Sequence, residues 1–298
     1  MLTALVLSTA FFAGCAPKTV NNIDKNAKIK VSTTINPVDQ LVHIVGKDRV
    51  ETSRMVPAAS EPHDFEPTIK DMGLLTETKL LFINGLGMET WVDKAVENSG
   101  NKNLKIIDLS TGVDLIPLEG HEEETTEEHE EHGDNDPHIW LSLDALVLMA
   151  ENVEKELSAV SPADEAYFKE NLEAFKTEVS GMKAEYEEKF KPYNGKAFVT
   201  GHAAFGYLTR ELGLVQKAVE GPFQEGEPTP KSLEELISFV KSEGIKTIFL
   251  EEQSSPKVSE TLARETGSKT VVINPLETDG ELLPTLKETY DKILESFN

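Results

Sequence analysis

Cysteine is nearly absent: the 298 residues hold only Cys15. One thiol excludes an internal disulfide framework and a cysteine-based zinc cluster, so any metal site must draw on His, Asp and Glu. Basic charge is scarce as well. Against 53 Asp+Glu stand 29 Lys+Arg, a formal net charge of −24, and no basic patch interrupts the acidic excess, which excludes a nucleic-acid backbone as partner and direct adhesion to anionic lipid. Long apolar runs are missing too. The only stretch apolar enough to meet a bilayer is Leu2 to Ala13, about half of the ~20 residues that a spanning helix requires. What is present is a 39% hydrophobic content over a length suited to one large or two ordinary domains, enough to bury a core in each.

Leu2 to Ala13 reads as the apolar region of an export signal, ending in Phe12-Ala13-Gly14-Cys15. The end resembles a bacterial lipobox, in which the cysteine receives a lipid and becomes the mature N-terminus, with Phe12 where the usual motif has Leu. The competing reading is a buried free cysteine on an N-terminal helix. The polar linker APKTVNNIDKNAK directly after Cys15 favours the signal. Residues 1–27 are accordingly assigned to signal and linker.

From Lys28 onward β-rich runs at 29–35, 50–56, 79–85 and 105–110 alternate with helix-sized segments, and the rhythm returns at 196–201, 215–220, 247–252 and 270–275. Strands separated in this way predict βαβ units with parallel sheets, hence two α/β lobes, 28–160 and 191–298. Between them Ser161-Pro162-Ala163-Asp164 supplies an N-cap, a proline at the first helical position and an acid three residues after the cap. Phe168, Leu172, Phe175, Val179, Met182, Tyr186 and Phe190 then recur at steps of four and three. This predicts one linking helix over 161–190, roughly 40 Å long, unbroken at Gly181. Residues 119–136 carry ten acids, three histidines and no Lys or Arg, a composition that cannot pack into a core and predicts a surface loop.

The seven histidines fall into three groups. His43 faces away from the stripe Val38, Leu41, Val42 and Val45 and is expected on the surface. His121, His129 and His132 lie in the acidic loop, where two readings stand: weak, transient cation capture, or a solvated linker with incidental histidines. His63, His138 and His202 each sit in or just beyond a strand-end loop, in EPHDFEP, DPHIW and TGHAAFGY. Ligands of open α/β sheets bind beyond the carboxyl ends of strands. Pro62 and Pro137 restrict the backbone before two of these histidines, and Phe65, Trp140 and Phe205 are expected to form a dry shell around them. Together the three imidazoles point to one shared metal.

A fourth ligand should be an oxygen. Glu277, after the run TVVINP, is preferred and Asp279 is the alternative, with Glu251 and Glu252 expected as acceptors for a ligating histidine. Three neutral imidazoles and one carboxylate suit tetrahedral Zn²⁺, whereas Mn²⁺ wants more oxygen and Ca²⁺ or Mg²⁺ almost only oxygen.

The segments TTINPVDQLVHIVGKDRV, EPHDFEPTIKDM, NGLGMETWVDK, DPHIWLSLDA, TGHAAFGYLTRELGL, IFLEEQSS and VINPLE, in this order, resemble the zinc-binding lipoproteins of bacterial ABC importers, a metal-specific family of periplasmic or surface solute-binding proteins. The resemblance implies two α/β lobes joined by one long rigid helix, with the metal in the interlobe cleft. It implies His63 and His138 from the N-terminal lobe, and His202 and Glu277 from the C-terminal lobe, as ligands. It further implies a lipid-anchored monomer at the cell surface or in the periplasm that delivers Zn²⁺ to a permease and its ATPase. Zinc members often carry an acidic, His-rich loop before the DPH motif, as at 119–136, while manganese members resemble a variant with a carboxylate where His202 stands. Two other classes compete: a zinc-dependent surface hydrolase with Glu277 as general base, and an adhesin with structural zinc. Four protein ligands leave no position for a reactive water, and no HExxH pair occurs in the sequence.

Overall fold

The computed structural model describes residues 28–58, 60–118, 133–224, 229–251 and 256–298. Cys15, His121, His129, His132 and Glu252, and with them the expectations of lipidation, weak cation capture and a second acceptor, lie outside the described residues.

The chain runs β1 (Ile29–Thr33), α1 (Asn36–Gly46), β2 (Val50–Arg54), α2 (Ile69–Leu74), β3 (Leu80–Ile83), α3 (Val92–Ser99), β4 (Lys105–Asp108) and α4 (Leu143–Val160). It continues through α5 (Glu165–Phe190), β5 (Ala197–His202), α6 (Gly206–Leu212), β6 (Val215–Glu220), α7 (Pro230–Glu243), β7 (Thr247–Glu251), α8 (Pro256–Thr266), β8 (Lys269–Ile273) and α9 (Leu282–Ser296). Two four-stranded sheets result, ordered β2-β1-β3-β4 and β6-β5-β7-β8, and every pairing is parallel. Strand direction of growth reverses between β1 and β3, and again between β5 and β7. These two switch points open a crevice at the strands' carboxyl ends, where ligands of such sheets bind.

All eight predicted strands form, several one to three residues shorter than expected. Their ends give way where the chain must turn: Asn84-Gly85 follows β3, and Gly85 holds φ at +87°. In α1, Val38, Leu41, Val42 and Val45 form a fully buried stripe after Pro37. Its last residue, Gly46, has no room for a side chain, since a Cβ there would lie 2.4 Å from Val50 Cγ1.

The linking helix begins later than the sequence suggests. Ser161 closes α4, its amide donating to the Leu157 carbonyl, and its hydroxyl bonds Asp164 at 2.7 Å in the turn before α5. A serine-proline pair serves a helix's end as well as a helix's start. From Glu165 to Phe190, α5 is continuous through Gly181 for 26 residues, about 39 Å. It packs on α1 and α4 of the first lobe and on α6 and α9 of the second. One hydrophobic core accordingly runs from Val31 through Phe168 and Tyr186 to Tyr290, across both lobes. A smaller cluster around Val199, Val240 and Leu262 joins the second sheet to α7 and α8.

Candidate metal centre

His202 is the last residue of β5. The register that sets Val199 beside Ile248 carries His202 level with Glu251, three residues on in each strand. The Glu251 carboxylate accepts from His202 Nδ1, and from its amide at 3.2 Å. Gly201 makes room for this carboxylate, since a Cβ there would lie 3.2 Å from Glu251 Oε2. His138 is held in the same manner by a residue of its own motif: Asp136 Oδ1 accepts from His138 Nδ1 at 2.7 Å and from its amide at 3.0 Å. Gly206 spares space for Asp136, because a Cβ would come within 2.5 Å of Oδ2. In both cases the carboxylate fixes the ring with Nδ1–H as donor and turns Nε2 inward, where it can ligate once its proton is displaced.

The two Nε2 atoms lie 3.3 Å apart, and Glu277 Oε1 is 3.2 Å from each. His63 Nε2 stands 3.8 Å from the same oxygen, beyond a hydrogen bond. Neither His63 ring nitrogen has a hydrogen-bond partner among the described residues, and both are buried. One donor atom from each of His63, His138, His202 and Glu277 falls within 4.8 Å of all the others. Metal–ligand bonds of about 2.0–2.1 Å place the donors of a tetrahedron about 3.3 Å apart. Three of the four already hold that spacing, and His63 stands slightly off it.

Electrostatics fit this grouping. Burial favours neutral His202, but Glu277 and Glu251 outweigh it and hold the imidazole well above its ordinary value. At His138 burial is likewise overcome by Asp136 and Glu277, and the ring is raised. His63 has Glu277 alone as an acidic neighbour of weight, so burial wins and the ring is lowered. Burial alone would raise Glu277; His202, His138 and His63 around it hold it well below the usual carboxylate range. The set suits a cation that replaces the protons.

Asp279, the alternative fourth residue, points elsewhere: its Oδ1 accepts from Arg54 Nη2 at 2.6 Å and its side chain is 64% exposed. Leu276, in the left-handed region at φ +68°, makes the turn that separates the two carboxylates. His43 is exposed and bonds Thr52 Oγ1 at 2.8 Å. The aromatic shell differs from expectation. Trp140 lies against His138 with ring centres 5.2 Å apart, but Phe65 packs on Trp91 and Phe205 on Phe198. Phe223, which carries no motif, stands edge-on to His63 at 5.8 Å. Two acids also escaped assignment. Asp136 is readable after the fact from its place two residues before His138. Glu61 is half-buried near Glu277, and loss of solvent with that neighbouring carboxylate raises it to about 7.

Among known proteins, the chain is 32% identical over 288 residues to a putative metal-binding protein of Treponema pallidum, covering 95% of this chain and 90% of that one. It is 35% identical over 261 residues to the high-affinity zinc uptake system protein ZnuA of Bacillus subtilis, covering 85% and 80%. It is 32% identical over 292 residues to the zinc-binding lipoprotein AdcA of Streptococcus pneumoniae, where 97% of this chain spans 57% of the relative's length. A crystal structure of ZnuA superposes with a TM-score of 0.82 at 28% identity, covering 91% of this chain and all of that one. The family described as zinc-uptake complex component A, periplasmic, matches residues 31–297, and the chain belongs to that family.

Proposed function

We propose that this chain captures Zn²⁺ outside the cytoplasmic membrane and delivers it to the permease of an ABC importer, with His63, His138, His202 and Glu277 as the ligands. Zinc is the cargo, and no reaction is performed on it. The observation that carries the reading is the spacing of 3.2–3.3 Å among His138 Nε2, His202 Nε2 and Glu277 Oε1, the edge length of a zinc-sized tetrahedron. Three nitrogens and one oxygen favour Zn²⁺ over Mn²⁺, and a full set of protein ligands suits capture rather than hydrolysis. Asp136 and Glu251 raise the basicity of the imidazoles they hold. Glu61 stands by as a further acid near the ion.

Within this reading, lipidation of Cys15 tethers a monomeric carrier to the membrane surface. Residues 28–160 and 191–298 serve as the two gripping lobes and 161–190 as their spacer. His121, His129 and His132 collect cations weakly, in addition to the tight site. The test is native mass spectrometry of protein purified without chelator, with His63→Ala and His202→Ala alongside. One zinc per chain, retained by the wild type and lost from the variants under dilution, is the expected result. Retention by both variants would reject the ligand set.

A further inference from the structure

Glu277 sits on a turn that is tied to the opposite lobe. Within the turn, Leu276 N donates to Asn274 Oδ1 at 2.6 Å, and Asn274 Nδ2 donates to Thr278 Oγ1 at 2.8 Å and to the Asp279 carbonyl at 3.1 Å. Before Glu277, Trp140 Nε1 reaches across to the Pro275 carbonyl at 2.7 Å. Beyond Glu277, Arg54 Nη2 donates to Asp279 Oδ1 at 2.6 Å, and Asn36 Nδ2 to the Gly280 carbonyl at 3.1 Å.

Arg54 is the last residue of β2, whose chain runs on to His63. Its guanidinium is fixed by its own lobe before it meets Asp279: Nε donates to the Val56 carbonyl and Nη1 to Asn36 Oδ1, each at 3.0 Å. The side chain is only 20% exposed. A fork held in this way loses little freedom on pairing, unlike two long side chains meeting at an open surface. Separating the lobes at the Glu277 turn must break the Arg54–Asp279, Asn36–Gly280 and Trp140–Pro275 bonds together.

We propose that Arg54 is a positioning residue, an interlobe clasp that holds the Glu277 turn against His63 and His138 of the opposite lobe and thereby sets how fast the ion is released. Asp279 is then the receiver of the clasp rather than a ligand. The inference rests on the zinc-capture reading, so two measurements separate the two claims.

Amide hydrogen exchange of the metal-free full chain tests the clasp without zinc. Arg54→Gln should raise exchange at Leu276 to Gly280, and Arg54→Lys, which keeps the charge but not the fork, should raise it less. Unchanged exchange in Arg54→Gln overturns the clasp. Stopped-flow release of zinc into a chromophoric chelator tests the consequence. Arg54→Gln and Asp279→Asn should each release about three- to tenfold faster than wild type, and the double variant no faster than the quicker single. Added salt should speed wild-type release by a larger factor than it speeds release from the variants, which lack the ion pair to be screened. Raised exchange with wild-type release rates refutes control of release, and independent, multiplying effects refute a shared clasp. A wild type that holds no zinc refutes the capture reading, while raised exchange would leave the clasp standing.

Discussion

The two lobes share one strand order and use it differently. In the C-terminal lobe the switch point itself carries a candidate ligand: His202 ends β5 and Glu251 ends the neighbouring β7. In the N-terminal lobe the corresponding place is given to structure. There Glu89 accepts from Thr34 Oγ1 at 2.5 Å, Asn84 N at 2.8 Å and Gly85 N at 3.0 Å, while Asn84 Nδ2 donates to the Pro137 carbonyl at 2.9 Å. His63 and His138 come instead from loops beyond the strands. His138 recovers rigidity through Asp136 and through the Asn84 bond to the residue before it. His63 has no orienting carboxylate on its ring. A strand end thus fixes His202 through sheet register, while His63 depends on its loop, and the lobe that supplies it is the natural one to yield first.

The largest expected effect sharpens the electrostatic side of this comparison. Zinc requires neutral imidazoles, and acids hold His138 and His202 above their ordinary value in the metal-free protein, His202 furthest. Protons therefore compete with the ion already above pH ~6.5, and affinity rises with pH until both rings are neutral without it. Two released protons give up to about a hundredfold per pH unit. Chelator competition between pH 5.5 and pH 7.5 should show a slope above one proton per zinc, whereas a flat profile would remove His138 and His202 from the ligand set.

Next in size is the contrast between ligands. His202→Ala should weaken zinc binding by more than the roughly 10–100-fold expected for losing a supporting carboxylate. His63→Ala should cost less, because that ring arrives without an orienting bond. Equal losses would break the distinction between strand-held and loop-held histidines. Glu251→Gln and Asp136→Asn should each weaken binding by about 10–100-fold while one zinc per chain is retained, and no effect on affinity would mean that these acids serve folding alone.

The smallest effect on zinc belongs to the N-terminal switch point. Burial raises Glu89 from 4.5 to about 7 despite its bonds to Thr34, Asn84 and Gly85. A carboxyl raised on folding contributes stability that is full below pH 4.5 and is lost as pH climbs through about 7. Denaturant unfolding of the metal-free protein should therefore show wild type losing up to about 3 kcal/mol relative to Glu89→Gln over that window. Parallel stability curves would mean that the carboxyl ionises without cost.

Much of this was readable in the residues for a local reason. The strands follow from β-rich runs between helix-sized segments, and α5 from a stripe at steps of four and three. His138 and His202 stood out by a preceding proline and by a strand end. Glu277 is preferred over Asp279 in the sequence by its place after the strand run, while the left-handed Leu276 that parts the two carboxylates is announced by no composition. Asp136, two positions from its histidine, was within local reach, and Glu251, at a strand's end, meets the expectation of an acceptor for a ligating histidine, but Phe223 and Arg54 owe their contacts to pairings across the fold. The single core that crosses both lobes was hidden for the same reason, since α9 returns from the chain's end to pack on α5 and α1.

The zinc K-edge spectrum of the full chain loaded with excess zinc reads the ligand set most directly. It should show a four-coordinate ion with three imidazole nitrogens and one oxygen at about 2.0–2.1 Å, in wild type and in Asp279→Asn alike, and one imidazole fewer in His63→Ala. An octahedral oxygen shell, or an imidazole count unchanged by His63→Ala, would contradict that set.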